Sequence, residues 1–177
     1  MRRGSSRIGK AEPFALFMVT MGALFLLGGC GSGGTDSGGL VTSMGQYASL
    51  QVSLTTQSVN RLGDTVPITF SIKNIGDRSV FVGYECPYAD VRVSQGDTII
   101  WQWSFGQVFA CSELGSLLAP GDSLTYSRDW NQKDNEGNQV PGGSYVITSW
   151  FDAAGVDGVK VTPQTDLATQ PLTIVLQ

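Results

Sequence analysis

The sequence predicts an all-β domain: an antiparallel β-sandwich of immunoglobulin type with about seven to nine strands. Three observations carry that expectation. Apolar and polar residues alternate with a period of two in several short runs, the pattern of a half-buried strand. Clusters of Gly, Pro, Asn and Asp separate those runs. No stretch after the N-terminal thirty residues shows the 3.6-residue period of an amphipathic helix.

The first element is a leader. Arg2, Arg3, Arg7 and Lys10 precede an apolar run from Pro13 to Leu27, interrupted by Thr20 and Gly22. A basic start, an apolar stretch of about fifteen residues and small residues before a cut site define a secretory signal peptide. The run is shorter than the ~20 residues a membrane-spanning helix needs. Leu26-Leu27-Gly28-Gly29-Cys30 resembles a bacterial lipobox. That resemblance implies acylation of Cys30 and removal of residues 1–29. An ordinary signal peptide followed by a coincidental cysteine is the alternative.

Residues 30–45 read as the lipidated cysteine and a Gly/Ser-rich tether, because Gly31-Ser32-Gly33-Gly34 cannot bury enough surface to order itself. Residues 46–177 are then one domain of ordinary size. Within it Leu50, Val52 and Leu54 alternate, as do Val66, Ile68, Phe70 and Ile72. Further strands are expected at Ser79–Tyr84, Ala89–Ser94, Thr98–Ser104, Ser123–Trp130 and Ser144–Phe151, with a weaker one near Val156–Val161. Leu172, Ile174 and Leu176 close the set. The turns fall at Asn74-Ile75-Gly76-Asp77, Gln95-Gly96-Asp97, Pro120-Gly121-Asp122 and Pro141-Gly142-Gly143. Ile99, Trp101 and Trp103 share one face of their strand and read as a core aromatic cluster. Arg128 is expected at a sheet end, its stem over apolar surface and its guanidinium in water.

The cysteine count follows from the leader. With Cys30 lipidated, Cys86 and Cys111 remain, and in an exported domain they are expected to pair across a loop of about 25 residues. Two buried thiols or a redox pair are the competing readings, but there is no Cys-x-x-Cys and no adjacent cation to lower a thiol pKa.

Composition excludes several functions. After Cys30, seven basic residues face fourteen acidic ones, so no basic stripe exists for nucleic acid. The chain has no histidine, which removes Ser-His and Cys-His nucleophile pairs and the usual zinc sites. The chain is therefore read as a non-enzyme with no cofactor. The segment Trp130 to Gln139 fails the EF-hand template, because Lys133 occupies a ligand position, and no metal is expected there.

Four segments together carry a family resemblance: Val66 to Asp77, Ile100 to Phe109, Leu118 to Tyr126 and Trp130 to Tyr145. In the last, Trp130, Asp134, Gly137, Val140-Pro141, Gly143 and Tyr145 fall in order. The tandem resembles the BsuPI-type proteinase inhibitor domain over roughly Leu50 to Phe151. It implies an immunoglobulin-like sandwich and inhibition of serine proteases. The resemblance lies in framework positions, so it transfers no inhibitory loop.

Two functions stand at this point. One is a membrane-anchored lipoprotein of the bacterial cell envelope whose domain inhibits a secreted or envelope protease by protein–protein binding. The other is a non-inhibitory immunoglobulin-like binding or assembly module of the envelope. For the first, Phe109 in Gly106-Gln107-Val108-Phe109-Ala110-Cys111 is the candidate protease contact, unless it packs under Trp101 or Trp103.

Overall fold

The computed structural model describes residues 38–110, 114–159, 161 and 167–177. The leader, Cys30, the first part of the tether and Cys111 lie outside the described residues, as does the side chain of Cys86.

Among the described residues ten strands form two sheets. One holds β1 (Leu40–Tyr47), β2 (Leu50–Gln57), β4 (Thr69–Asn74) and β8 (Ser123–Ser127) in the order β1-β2-β4-β8. The other runs β3 (Val59–Asn60), β10 (Leu172–Leu176), β9 (Gly143–Val156), β5 (Val80–Gln95), β6 (Thr98–Gln102), and β7 (Leu114–Leu118) also pairs with β5. All pairings are antiparallel except β3 with β10. The fold is thus an immunoglobulin-like all-β sandwich, as the period-two pattern implies.

The core lies between the sheets in two lobes. Leu50, Val52, Phe70 and Ile72 meet Val82, Tyr84, Phe151 and Leu167 in one. Leu54, Val66 and Ile68 meet Val91, Val93, Ile147 and Ile174, with Trp130 and Tyr145, in the other. Trp130 is fully buried, 5.5 Å from the Tyr145 ring, and its indole N–H donates to Lys133 O at 2.8 Å. The Tyr145 hydroxyl donates to Pro141 O at 2.8 Å and fixes the corner that opens β9.

Several boundaries differ from the sequence reading; β8 stops at Ser127, short of the expected Trp130, and β3 and β7 have no counterpart in that reading. Ser79–Tyr84 and Ala89–Ser94 are one strand, β5. Its inward residues are Val80, Val82 and Tyr84 and then Ala89, Val91 and Val93, and the register against β9 shifts between Tyr84 and Ala89. A bulge absorbs the change of phase that reads as a break in the sequence. Leu40–Gly45, expected as tether, belongs to β1, which pairs with β2 at eight positions. Its large apolar residues Leu40 and Met44 face solvent, so no amphipathic pattern announces it. Gly45 is required there, because a Cβ would lie 2.0 Å from Ala168 O. Finally, Val156 and Val159 exchange backbone hydrogen bonds at 2.9 Å around a turn at Asp157-Gly158, so the weak strand near Val156–Val161 begins as a tight turn.

Asn74 joins two of the expected turns. It is completely buried at the end of β4. Its side-chain amide donates to Arg78 O at 2.7 Å and Leu118 O at 2.9 Å, and its Oδ1 accepts from Gly76 N at 2.9 Å. Its backbone pairs with Asp122 O and Gly121 N.

Candidate functional site

A region with exposed large apolar side chains beside shaped clefts follows β6. A classic half-buried strand would alternate through Ile99, Trp101 and Trp103, but the register shifts between Val93 and Ser94. Trp101 pairs with Val93 and packs on Trp130 at 6.4 Å, while Ile99 pairs with Ser94 and is 47% exposed. Trp103 lies past the end of β6, in a turn. The expected three-residue aromatic face is therefore divided.

From Trp103 to Ala110 the chain forms a loop whose base is densely bonded. Trp103 N donates to Val91 O at 2.9 Å, Phe105 N to Gln102 O at 3.0 Å and Gln107 N to Ser104 O at 3.1 Å. The Gln107 side-chain amide donates back to Trp103 O. Gly106 takes φ +70°, a left-handed conformation that glycine adopts without cost.

Asp90 organises this base. Its neighbours Ala89 and Val91 point into the core, yet Asp90 itself is only 2% exposed. Its Oδ1 accepts from Val91 N at 2.8 Å and Ser104 N at 3.2 Å. Its Oδ2 accepts from the Gln102 amide at 2.7 Å and the Ser104 hydroxyl at 2.6 Å. Sequence reasoning passed over Asp90, since a single acid at an outward strand position reads as a solvated face.

Trp103 is covered by Arg128, whose Cζ lies 3.8 Å from the ring centroid. The guanidinium is half-buried rather than free in water, and burial pulls its pKa down while Tyr126 and Asp90 push it back up. Its Nη1 donates to Ser127 O at 2.9 Å. The Tyr126 phenol is pushed up to about 12, chiefly by burial and then by Tyr84.

Phe109 rests against Trp103, centroids 5.5 Å apart and 34° between planes. It is half-buried, whereas Phe105 is 60% and Val108 98% exposed. The two large exposed apolar side chains of the loop are thus not the one selected from the sequence. The turn residues around Ser104-Phe105-Gly106 were the available signal, because they take Phe105 out of the strand alternation.

The hairpin over residues 131–140 forms the opposite wall. Asn135 N donates to Ile100 O at 3.0 Å, and Gln102 N donates to Asn135 Oδ1 at 2.9 Å, which docks the hairpin on β6. Asp134 turns its carboxylate onto the hairpin's own donors: Asn138 Nδ2 at 3.1 Å, Asn138 N at 2.8 Å and Glu136 N at 2.9 Å. The Asn138 side chain, then the backbone amides, hold its pKa below the ordinary carboxylate value. Two clefts of about 330 and 370 Å³ lie between loop and hairpin, and Phe105, Asp134 and Asn135 line both. Among the described residues no group of three or more Cys, Asp or Glu is placed to hold a metal ion.

The immunoglobulin-like sandwich thus displays a bonded loop over residues 103–110 beside two open clefts. The chain belongs to the BsuPI intracellular proteinase inhibitor family, whose family model matches residues 53–156, more than half of the sequence. No curated protein is similar enough in sequence to match. Among solved structures, the CARDB domain of PF1109 from Pyrococcus furiosus is similar at 16% identity and a TM-score of 0.38, covering 72% of this chain and 94% of that one. The β-glucosidase from Listeria innocua in complex with glucose is similar at 9% identity and a TM-score of 0.38, covering 82% of this chain and 17% of that one. Both likenesses are too weak to speak to function.

Family membership corrects one expectation. The leader pattern placed the protein in the cell envelope, exported and lipid-anchored, but the family is described as intracellular, which conflicts with that location. The leader signal is compositional and local to the N-terminal stretch, so it carried no information from the domain.

Proposed function

We propose that the domain inhibits a serine proteinase by direct, non-covalent protein–protein binding, using the surface formed by residues 103–110 and 131–140. The observation that carries this reading is the family match, which spans both segments. The bonding of the loop base supports it, because a segment held in one conformation loses little entropy on association. Titrating the purified chain into trypsin-, chymotrypsin- and subtilisin-type proteinases, with chromogenic substrates, tests it. Stoichiometric loss of activity of at least one enzyme at or below micromolar concentration is expected. If none is inhibited, the inhibitor reading falls and a non-inhibitory binding module takes its place.

A further inference from the structure

We propose that Phe105 and Val108 are the side chains that enter the proteinase, that the enzyme's receiving subsites are apolar, and that buried Asp90 is the positioning residue that holds the loop for them. This inference rests on the inhibitor reading above and assigns its contact.

Exposure selects the two side chains. Phe105 and Val108 stand out at 60% and 98%, three residues apart on either side of the Gly106 turn, while Trp103 and Phe109 turn onto each other beneath them. A large exposed aromatic on a rigid base is the kind of residue that dominates an interface once desolvated. The stretch Trp103 to Ala110 contains no charged residue. It therefore offers nothing to a specificity pocket built around an acid, and it fits a pocket with apolar walls.

The role of Asp90 follows from where its hydrogen bonds go. A carboxylate removed from water is costly unless each oxygen is satisfied. Three of the four donors to Asp90 are Ser104 N, Ser104 Oγ and Gln102 Nε2, all at the start of the loop. The sandwich ladders close without them, because β5 pairs with β6 and β9 through its backbone. The buried charge therefore acts on the loop. A loop held in this way resists cleavage as well as favouring binding, since a segment that cannot relax into the products' geometry is a poor substrate.

Phe105→Ala, Val108→Ala, Asp90→Asn and Ser104→Ala test the assignment, read by the inhibition constant, the thermal midpoint and mass spectrometry of the chain after incubation with the enzyme. Phe105→Ala should weaken inhibition about 30-fold or more and Val108→Ala less, with midpoints close to wild type, because exposed side chains contribute little to folding. Asp90→Asn, whose amide cannot accept at both positions, should weaken inhibition and become cut between Ser104 and Ala110, where the wild type stays intact. Ser104→Ala removes the hydroxyl that donates to Asp90 Oδ2 and accepts from Gln102 Nε2, leaves Ser104 N on Asp90, and should do the same to a smaller degree. If the wild type inhibits and Phe105→Ala and Val108→Ala inhibit equally well, the loop assignment is overturned while the inhibitor reading stands. If Asp90→Asn lowers the midpoint without new cleavage or weaker inhibition, Asp90 is merely structural. If the wild type inhibits no enzyme, the inhibitor reading itself fails and the contact assignment goes with it.

Discussion

Asn74→Ala should be among the most destabilising substitutions outside the apolar core. The wild-type side chain is fully buried and makes three hydrogen bonds, to Arg78 O, Leu118 O and Gly76 N. The bonds to Arg78 and Gly76 are only partly buried, so water can replace the lost partner there and each costs about 1 kcal/mol or less. The bond to Leu118 O is buried, and stranding that carbonyl costs about 1–3 kcal/mol. The sum is about 3 kcal/mol, which in a domain of this size lowers the thermal midpoint by roughly 10–15 °C. Urea denaturation with a wild-type m-value, alongside a thermal scan, measures it. Asn74→Asp sharpens the argument. It keeps the acceptor for Gly76 N but replaces both donors with a buried carboxylate facing two carbonyls, so it should be worse than alanine at neutral pH. Its folded-state pKa would be raised, so stability should return as pH falls through that value and the acid regains a proton to donate. A loss below about 0.5 kcal/mol for Asn74→Ala, or an Asn74→Asp variant as stable as wild type at pH 7, would refute the reasoning.

Two further outcomes can be checked with purified protein. Because Asn138 holds the Asp134 pKa below its ordinary value, the stability contributed by that ionised carboxylate is present above the unfolded pKa and lost as pH falls through the folded one. Carbon-detected NMR titration should place Asp134 below an ordinary aspartate, and Asn138→Ala should move it upward; an unmoved midpoint contradicts the assigned cause. Oxidising the purified domain should join Cys86 to Cys111, closing a loop of about 25 residues and adding about 3 kcal/mol of stability. Full alkylation of both thiols after oxidation rules the pairing out.

The fold was readable where burial alone sets the pattern. β2 alternates without a fault, and Phe70, Ile72 and buried Asn74 keep the same beat through β4. Legibility fails where a bulge resets that beat. At residues 85–88 the inward face passes from even to odd positions, and one sixteen-residue strand looks like two. At Ser94 a second shift sends Ile99 outward and Trp101 inward, which periodicity had placed together. The candidate site lies in the wake of that second shift. Trp103 and Phe109 were visible as aromatics near a turn, but which aromatic is spent on packing and which is left in solvent depends on Asp90 and Arg128. These residues are distant in sequence and act through contacts no local pattern encodes.

The pairing of β1 along all of β2 bears on where this domain can be cut. A chain starting at residue 46, the boundary that composition alone suggests, would lose most of β1. It would leave β2 as the outer strand of its sheet, with a nearly straight row of unpaired amides and carbonyls. Leu50, Val52 and Leu54 would still be pointing into the core behind that row. A long, regular bare edge of this kind invites another chain to add itself by strand pairing. Such a truncated domain should form soluble oligomers or fibrils more readily than the full chain at the same concentration. In the intact domain β1 takes the outer position instead, and there Gln170 N donates to Met44 O and Ser43 Oγ to Gln170 O. Part of that edge is therefore already occupied, and β1 serves the protein as a guard against its own self-association.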